Sequence, residues 1–204
     1  MKYTKLATTC LFVGMLMLSG CGSSDTADTT SPVTTTPPTT GDTTPPVTGS
    51  TAPVTHETSV LTTSGESIPV QSTTEGFNFI GYEGKPVLLE FYGDTCPHCV
   101  DAIPSYNNLQ AKYGNDILIL TIDAPGPFAT LDNAGLQAFV ASHGITYRTV
   151  SQENQGNMKA YAEELVGVMP GVPYVLILNR NGVITSQYLG PNESQLEAAI
   201  LDVL

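Results

Sequence analysis

Cys96-Pro97-His98-Cys99 sets two thiols three residues apart, a spacing that brings them onto one helix face and within disulfide reach. The motif falls where the apolar run Val87-Leu88-Leu89-Glu90-Phe91-Tyr92 gives way to a predicted helix from Pro97 to about Tyr113. Proline suits the first helical position because its missing N–H is not needed there. Cys96 then stands at the helix N-terminus, where unpaired N–H groups and the helix dipole favour a thiolate. A thiolate is the species that attacks a disulfide, so the pattern points to a redox-active dithiol. Two other readings compete. Half of a zinc site needs further Cys, His or carboxylate ligands, and the chain has no second cysteine pair of this spacing. A structural disulfide in an exported protein normally belongs to a framework of several cysteines spread along the fold.

Glu90 is the next residue with chemical content. It interrupts a run expected to form a central strand covered on both faces, where a carboxylate is costly unless paired or neutral. The competing placement is a sheet edge, with Glu90 turned to solvent. His98, between the thiols, either favours the thiolate through its charge or stands in solvent with little effect. Asp123 ends the next predicted strand and reads as a turn cap. His143 reads as a helix C-terminal cap, and His56 falls in a stretch where no ligand role is expected.

The elements that position this chemistry occupy only part of the 204-residue chain. Lys2 and Lys5, followed by Leu11-Phe12-Val13-Gly14-Met15-Leu16-Met17-Leu18, form an export signal whose apolar run is too short for a permanent span. Its end, Leu18-Ser19-Gly20-Cys21, resembles the bacterial lipobox, whose cysteine is acylated and becomes the new N-terminus. More than one acyl chain gives stable anchoring. The predicted division is a signal over residues 1–20, a lipidated Cys21 with a disordered linker over 21–66, and one folded domain over 67–204. The linker assignment rests on Thr, Ser, Pro and Gly without an apolar face. Loss of Lys2 and Lys5 takes the formal charge from −12 to −14, which leaves no electrostatic footprint for nucleic acid. With Cys10 removed and Cys21 lipidated, Cys96 and Cys99 are left to pair.

Inside the domain, Ile68-Pro69-Val70 reads as a short edge strand and Ile117-Leu118-Ile119-Leu120-Thr121-Ile122 as a second buried strand. Residues 131–143 and 157–165 carry helical patterns, the first capped by Thr130 or Asp132 and ended by Gly144. A short strand over 146–150 separates them. Tyr174-Val175-Leu176-Ile177-Leu178 and Val183-Ile184-Thr185-Ser186-Gln187-Tyr188 flank Asn181-Gly182, a hairpin signal. Residues 193–204 close as a helix. Strands alternating with helices, then a hairpin and a helix, predict an α/β fold around a mixed sheet flanked by helices.

The segment Phe91-Tyr92-Gly93-Asp94-Thr95-Cys96-Pro97-His98-Cys99 resembles the active-site segment of the thioredoxin-like superfamily. Pro104 matches the proline that kinks that family's active-site helix, and Gly171-Val172-Pro173 resembles its cis-proline loop. The likeness covers the predicted domain, and the extra helix and strand between Ile122 and Pro173 are most similar to the membrane-tethered, TlpA-like branch. It implies a thioredoxin-like fold and disulfide exchange through Cys96 and Cys99. It also implies a substrate segment along Val172 and Pro173 beside Pro97, and a buried acid at Glu90 that accepts the proton of Cys99. Thr95, Tyr174 and the dipeptide Pro97-His98 set this chain apart from the usual pattern. Thr95 stands where a tryptophan usually precedes the first cysteine, and Tyr174 follows Pro173 where many relatives have Thr. Pro97-His98 is the dipeptide of DsbA-like oxidants, whose reduced form is strongly stabilised. Gly93 stands where peroxiredoxins carry Thr, which speaks against a peroxidase, and Met169 either lines the substrate groove or packs within its loop.

The expectation is an enzyme without cofactor or bound metal: a thiol–disulfide oxidoreductase lipid-anchored to a bacterial membrane, its domain outside the cytoplasm in the periplasm. Its partners would be exported proteins with thiols or disulfides and a membrane electron donor or acceptor. The resemblance favours a reductase, whereas Pro97-His98 favours the alternative, a DsbA-like disulfide donor. An alternative of another class is a non-catalytic lipoprotein that holds copper(I) through Cys96, Cys99 and His98, since soft thiolates suit that metal.

Overall fold

The computed structural model describes residues 49–124, 126–152, 155 and 157–204. The predicted export signal, Cys21 and the linker as far as residue 48 lie outside the described residues. In chain order the elements are β1 (Val54–Leu61), β2 (Ser67–Thr73), β3 (Phe77–Phe79), β4 (Val87–Tyr92), α1 (Pro97–Tyr113) and β5 (Leu118–Asp123). There follow α2 (Asn133–Ser142), β6 (Arg148–Val150), α3 (Met158–Val166), β7 (Tyr174–Leu178), β8 (Ile184–Leu189) and α4 (Glu193–Leu201).

A five-stranded mixed sheet in the order β6-β5-β4-β7-β8 forms the central layer. The β4–β5 and β5–β6 pairs are parallel, while β4–β7 and β7–β8 are antiparallel. Parallel neighbours need long crossovers, and α1 and α2 supply them. Period-two alternation sorts the side chains of β4. Leu89 and Phe91 join a core with Leu120, Ile122, Leu176 and the α3 residues Met158 and Ala162. Leu88 joins the opposite core with Ile119, Val175, Tyr106 and Leu109 of α1, and Leu196 of α4. The same alternation puts Glu90 on the Leu88 face, beneath α1.

The folded region starts upstream of the expected residue 67. β1 pairs antiparallel with β2 from Val54↔Thr73 to Leu61↔Ser67, and Val60 is buried. Threonine and valine are β-branched and favour strands, so a composition that resembles a linker here encodes one edge of a sheet. The His56 ring stacks on Tyr161 of α3 with centroids 4.1 Å apart, and its Nε2 lies 2.7 Å from Glu164 Oε2. Ile68-Pro69-Val70 is also the middle strand rather than an edge, because β2 pairs with both β1 and β3. Pro69 O accepts from Ile80 N at 2.9 Å, so its missing N–H faces the β3 side just past the last paired residue, Phe79.

The small sheet is fastened to the β7–β8 hairpin by a backbone approach. A Cβ on Gly76 would lie 2.1 Å from Gly182 O, and that oxygen accepts the Phe77 N–H at 2.9 Å. Gly182 itself has φ +75°, in the left-handed region of the hairpin turn. Among the described residues no helix is long and apolar enough to cross a membrane.

Candidate active site

β4, the central strand, carries Glu90 and Tyr92 toward the end of the sheet from which α1 starts, and a three-residue loop then turns the chain into that helix. Cys96 is the N-cap of that helix in extended conformation, and a proline occupies its first turn. The Cys96 carbonyl accepts from Cys99 N at 3.0 Å and Val100 N at 3.1 Å, so the first turn closes on it. Both cysteines are free thiols, 4% and 3% exposed. Cys96 Sγ donates to Val172 O across 3.6 Å, and the Val172-Pro173 peptide bond is cis. Pro104 lies inside α1. The structure therefore brings Cys96, Pro97, Cys99, Val172 and Pro173 together at one end of the sheet, with Glu90 below.

Glu90 is fully buried rather than at an edge, flanked by Thr121 and Val175 on the neighbouring strands. Burial pushes its carboxyl up to about 8, and the nearby Tyr106 hydroxyl opposes that rise in part. The Glu90–Tyr106 pair nevertheless falls short of hydrogen-bond geometry: Glu90 Oε1 and the hydroxyls of Tyr92 and Tyr106 are buried without a hydrogen-bond partner. The Cys99 thiol is raised well above its ordinary value, first by burial, then by the Cys96 thiol and the Glu90 charge. A carboxyl poised near neutral pH can both give and take a proton, and the Cys99 thiol is among the groups within its electrostatic reach, with Tyr92, Tyr106 and Tyr147.

His98 is exposed and makes no side-chain hydrogen bond among the described residues. It lines an open groove of about 670 Å³ whose walls include Asp101 and Ser105 on one side and Val172, Pro173 and Leu189 on the other. His143 is the C-cap of α2, its Nδ1 3.0 Å from Phe139 O. Tyr174 is buried, with its hydroxyl donating to Gln187. Among the described residues no three His, Cys, Asp or Glu side chains form a group that could hold a metal ion.

The sequence did not reveal that two acids, Asp94 and Asp123, meet beside the thiol loop. The Asp94 carboxylate accepts from Thr130 N (2.6 Å), Thr130 Oγ1 (2.8 Å) and Leu131 N (2.9 Å). Its own N–H donates to Asp123 Oδ1 at 3.1 Å, and Asp123 Oδ2 accepts from the Gln152 amide. Asp123 is thus no simple turn cap; it ties the thiol loop to the end of β5. Burial acts to raise Asp94, but the Leu131 and Thr130 donors outweigh it and hold the carboxyl below its ordinary range. Asp123 goes the other way, pushed up to about 7 by burial and then by the Asp94 charge. The available signal was an acid in the turn before the thiols, matched by one at the carboxyl end of the adjacent parallel strand, where α/β sheets gather their sites.

A dithiol at a strand-to-helix junction, faced by a cis-proline loop in a mixed sheet, defines a thioredoxin-like fold. Solved structures share it. The MTB dsbF structure superposes with a TM-score of 0.56 at 18% identity, covering 76% of this chain and 100% of that one. A thiol:disulfide interchange protein of the thioredoxin family from Chlorobium tepidum TLS gives 0.56 at 16% identity, covering 76% and 96%. The chain belongs to the Redoxin family, which matches residues 40–203. It is similar to the thiol-disulfide oxidoreductase ResA of Halalkalibacterium halodurans, 26% identical over 123 residues, covering 60% of this chain. The match spans 64% of that relative's length, just under two thirds.

Proposed function

We propose that this chain is an extracytoplasmic thiol–disulfide oxidoreductase that reduces disulfides of exported polypeptides through Cys96 and Cys99. The observation that carries it is the pairing of two nearly buried free thiols, Cys96 against the Val172 carbonyl and Cys99 above the buried Glu90. The relatives named thiol-disulfide oxidoreductase support the same chemistry.

The Cys96 thiolate attacks one sulfur of a substrate disulfide, forming a mixed disulfide and releasing one substrate thiolate, which takes up a proton from water. Cys99 then gives its proton to the ionised Glu90 and attacks Cys96 Sγ. The second substrate sulfur leaves as a thiolate, which is protonated as Glu90 gives its proton back, and a Cys96–Cys99 disulfide remains. Two electrons pass from the dithiol to the substrate, and a dithiol donor at the membrane returns them. Val172 and Pro173 hold the substrate backbone, with Pro97 beside them. His98 is solvent-exposed; the resemblance to the membrane-tethered branch supports the reducing direction, against the Pro97-His98 dipeptide, which favours a disulfide donor. The export signal and Cys21 supply the route out of the cytoplasm and the lipid tether.

The test is reduction of a polypeptide disulfide with dithiothreitol as electron source. The wild-type protein accelerates the reaction and Cys96→Ser abolishes the acceleration. Catalysis that survives Cys96→Ser sinks the proposal.

A further inference from the structure

Thr95 precedes the first thiol, and both of its polar donors go to one atom. Its N–H and its Oγ1 each donate to Phe128 O at 3.1 Å. Gly93, two residues earlier, permits the approach, since a Cβ there would lie 2.4 Å from Phe128 Cβ. Between them Asp94 holds the backbone of Thr130 and Leu131. Three consecutive residues before Cys96 thus clamp the loop that follows β5. The Phe128 backbone is fixed, yet its side chain stays in solvent: the residue is 44% exposed.

Phe128 forms one wall of a cavity of about 320 Å³. Met169, Pro170 and Val172 also line it, and Lys159 is the one charged lining residue among the described residues. The Lys159 ammonium is engaged at 2.6 Å by Glu163, whose same oxygen accepts the Met169 N–H at 3.2 Å. The cavity's charge is therefore already neutralised from within, and one salt bridge also steadies the Met169 loop. Val172 belongs both to this cavity and to the Cys96 contact, so the cavity opens beside the reacting sulfur.

We propose that this cavity is a substrate subsite that takes one uncharged, apolar side chain close in sequence to the target cysteine of an extended polypeptide. The subsite presupposes the thiol–disulfide exchange proposed above. Its volume lies at the small end for ligand pockets, which suits a single side chain of leucine, methionine or phenylalanine size. A polar side chain entering it would lose water, and the one charged lining residue among the described residues is already paired, whereas an apolar one gains from burial. A ring whose backbone is already held loses little freedom when the substrate packs on it. Phe128 is the specificity-determining residue, and Thr95, Gly93 and Asp94 position it.

The experiment uses the full chain and two disulfide-bonded peptides that differ only in Leu or Asn beside the cysteine. The readout is the ratio of their kcat/KM values within each protein, which cancels any general loss of activity. Wild-type protein favours the Leu peptide by about tenfold or more, chiefly through KM. Phe128→Ala brings the ratio to within about twofold of unity, and Phe128→Leu restores most of the preference. Equal treatment of the two peptides by the wild-type protein overturns the subsite, as does a ratio that survives Phe128→Ala. A wild-type protein that exchanges with dithiothreitol but ignores the Leu–Asn difference loses the subsite alone. Failure to exchange even with dithiothreitol removes the oxidoreductase reading itself.

Discussion

Glu90→Gln keeps the shape of the side chain and removes its titration, which isolates the buried acid beneath Cys99. Below pH 4.5 the carboxyl is protonated in both the folded and unfolded chain and contributes nothing to the pH dependence. Between its ordinary 4.5 and the folded value of about 8, the unfolded chain has released the proton while the folded protein still holds it. Stability from this group is therefore fully present at low pH and declines as pH rises, by about 1.4 kcal/mol per pH unit, levelling off above about 8. From pH 5 to pH 7 the wild-type protein loses about 3 kcal/mol that Glu90→Gln does not lose. Urea unfolding of both reduced proteins at intervals across that range reads the difference directly. The same substitution slows the attack of Cys99 on the mixed disulfide by about 100-fold, the contribution of a positioned acid–base group, read by rapid quench and thiol labelling. Unfolding free energies that run parallel from pH 5 to pH 8 would refute the raised titration of Glu90, and with it the poise near neutral pH on which its exchange of a proton with Cys99 rests.

Cys99→Ser stalls the reaction at the mixed disulfide, so a covalent adduct of substrate on Cys96 accumulates in non-reducing mass spectrometry; its absence contradicts the assignment of Cys99 as the resolving thiol. Asp94→Asn replaces a charged acceptor of three hydrogen bonds and costs about 1–3 kcal/mol of stability in urea unfolding. It also removes the charge that raises Asp123, whose carboxyl titration by carbon NMR moves below 7; an unmoved titration contradicts the coupling of the pair. Removal of residues 1–61 strips β1 together with the His56 contacts to Tyr161 and Glu164 and lowers Tm by at least about 5 °C, whereas removal of residues 1–48 leaves Tm within about 2 °C. Equal Tm values for the two truncations contradict an integral β1.

The parts legible in the sequence are those whose signal is local. The Cys96–Cys99 spacing, the capping of α2 by Asp132 and the hairpin around Gly182 each declare themselves within a few residues. Glu90 stood out because a carboxylate conflicts with the apolar run around it, and burial resolves that conflict by neutralising it. The missed features depend on pairing across distance. β1 becomes a strand because β2 lies beside it, and its threonines alone look the same in a linker. β3 spans only Phe77–Phe79, too short to show a period. Asp94 meets Asp123 and Thr130, and Thr95 meets Phe128, about thirty residues apart, across a loop that no periodicity describes. The departure at Thr95 was visible in the sequence, but not that its hydrogen bonds hold an aromatic residue from elsewhere.

Cys96 and Cys99 act as one two-electron couple in the proposed reaction. Equilibrating the full chain against graded ratios of reduced and oxidised dithiothreitol and, for the less reducing range, of reduced and oxidised glutathione, with mass-resolved thiol labelling at each, measures that couple directly. The predicted result is a single transition in which both cysteines lose their thiols together, at a potential near roughly −270 mV. A transition near roughly −120 mV would reverse the direction of electron flow, and thiols that remain labelled at every ratio would contradict the dithiol itself.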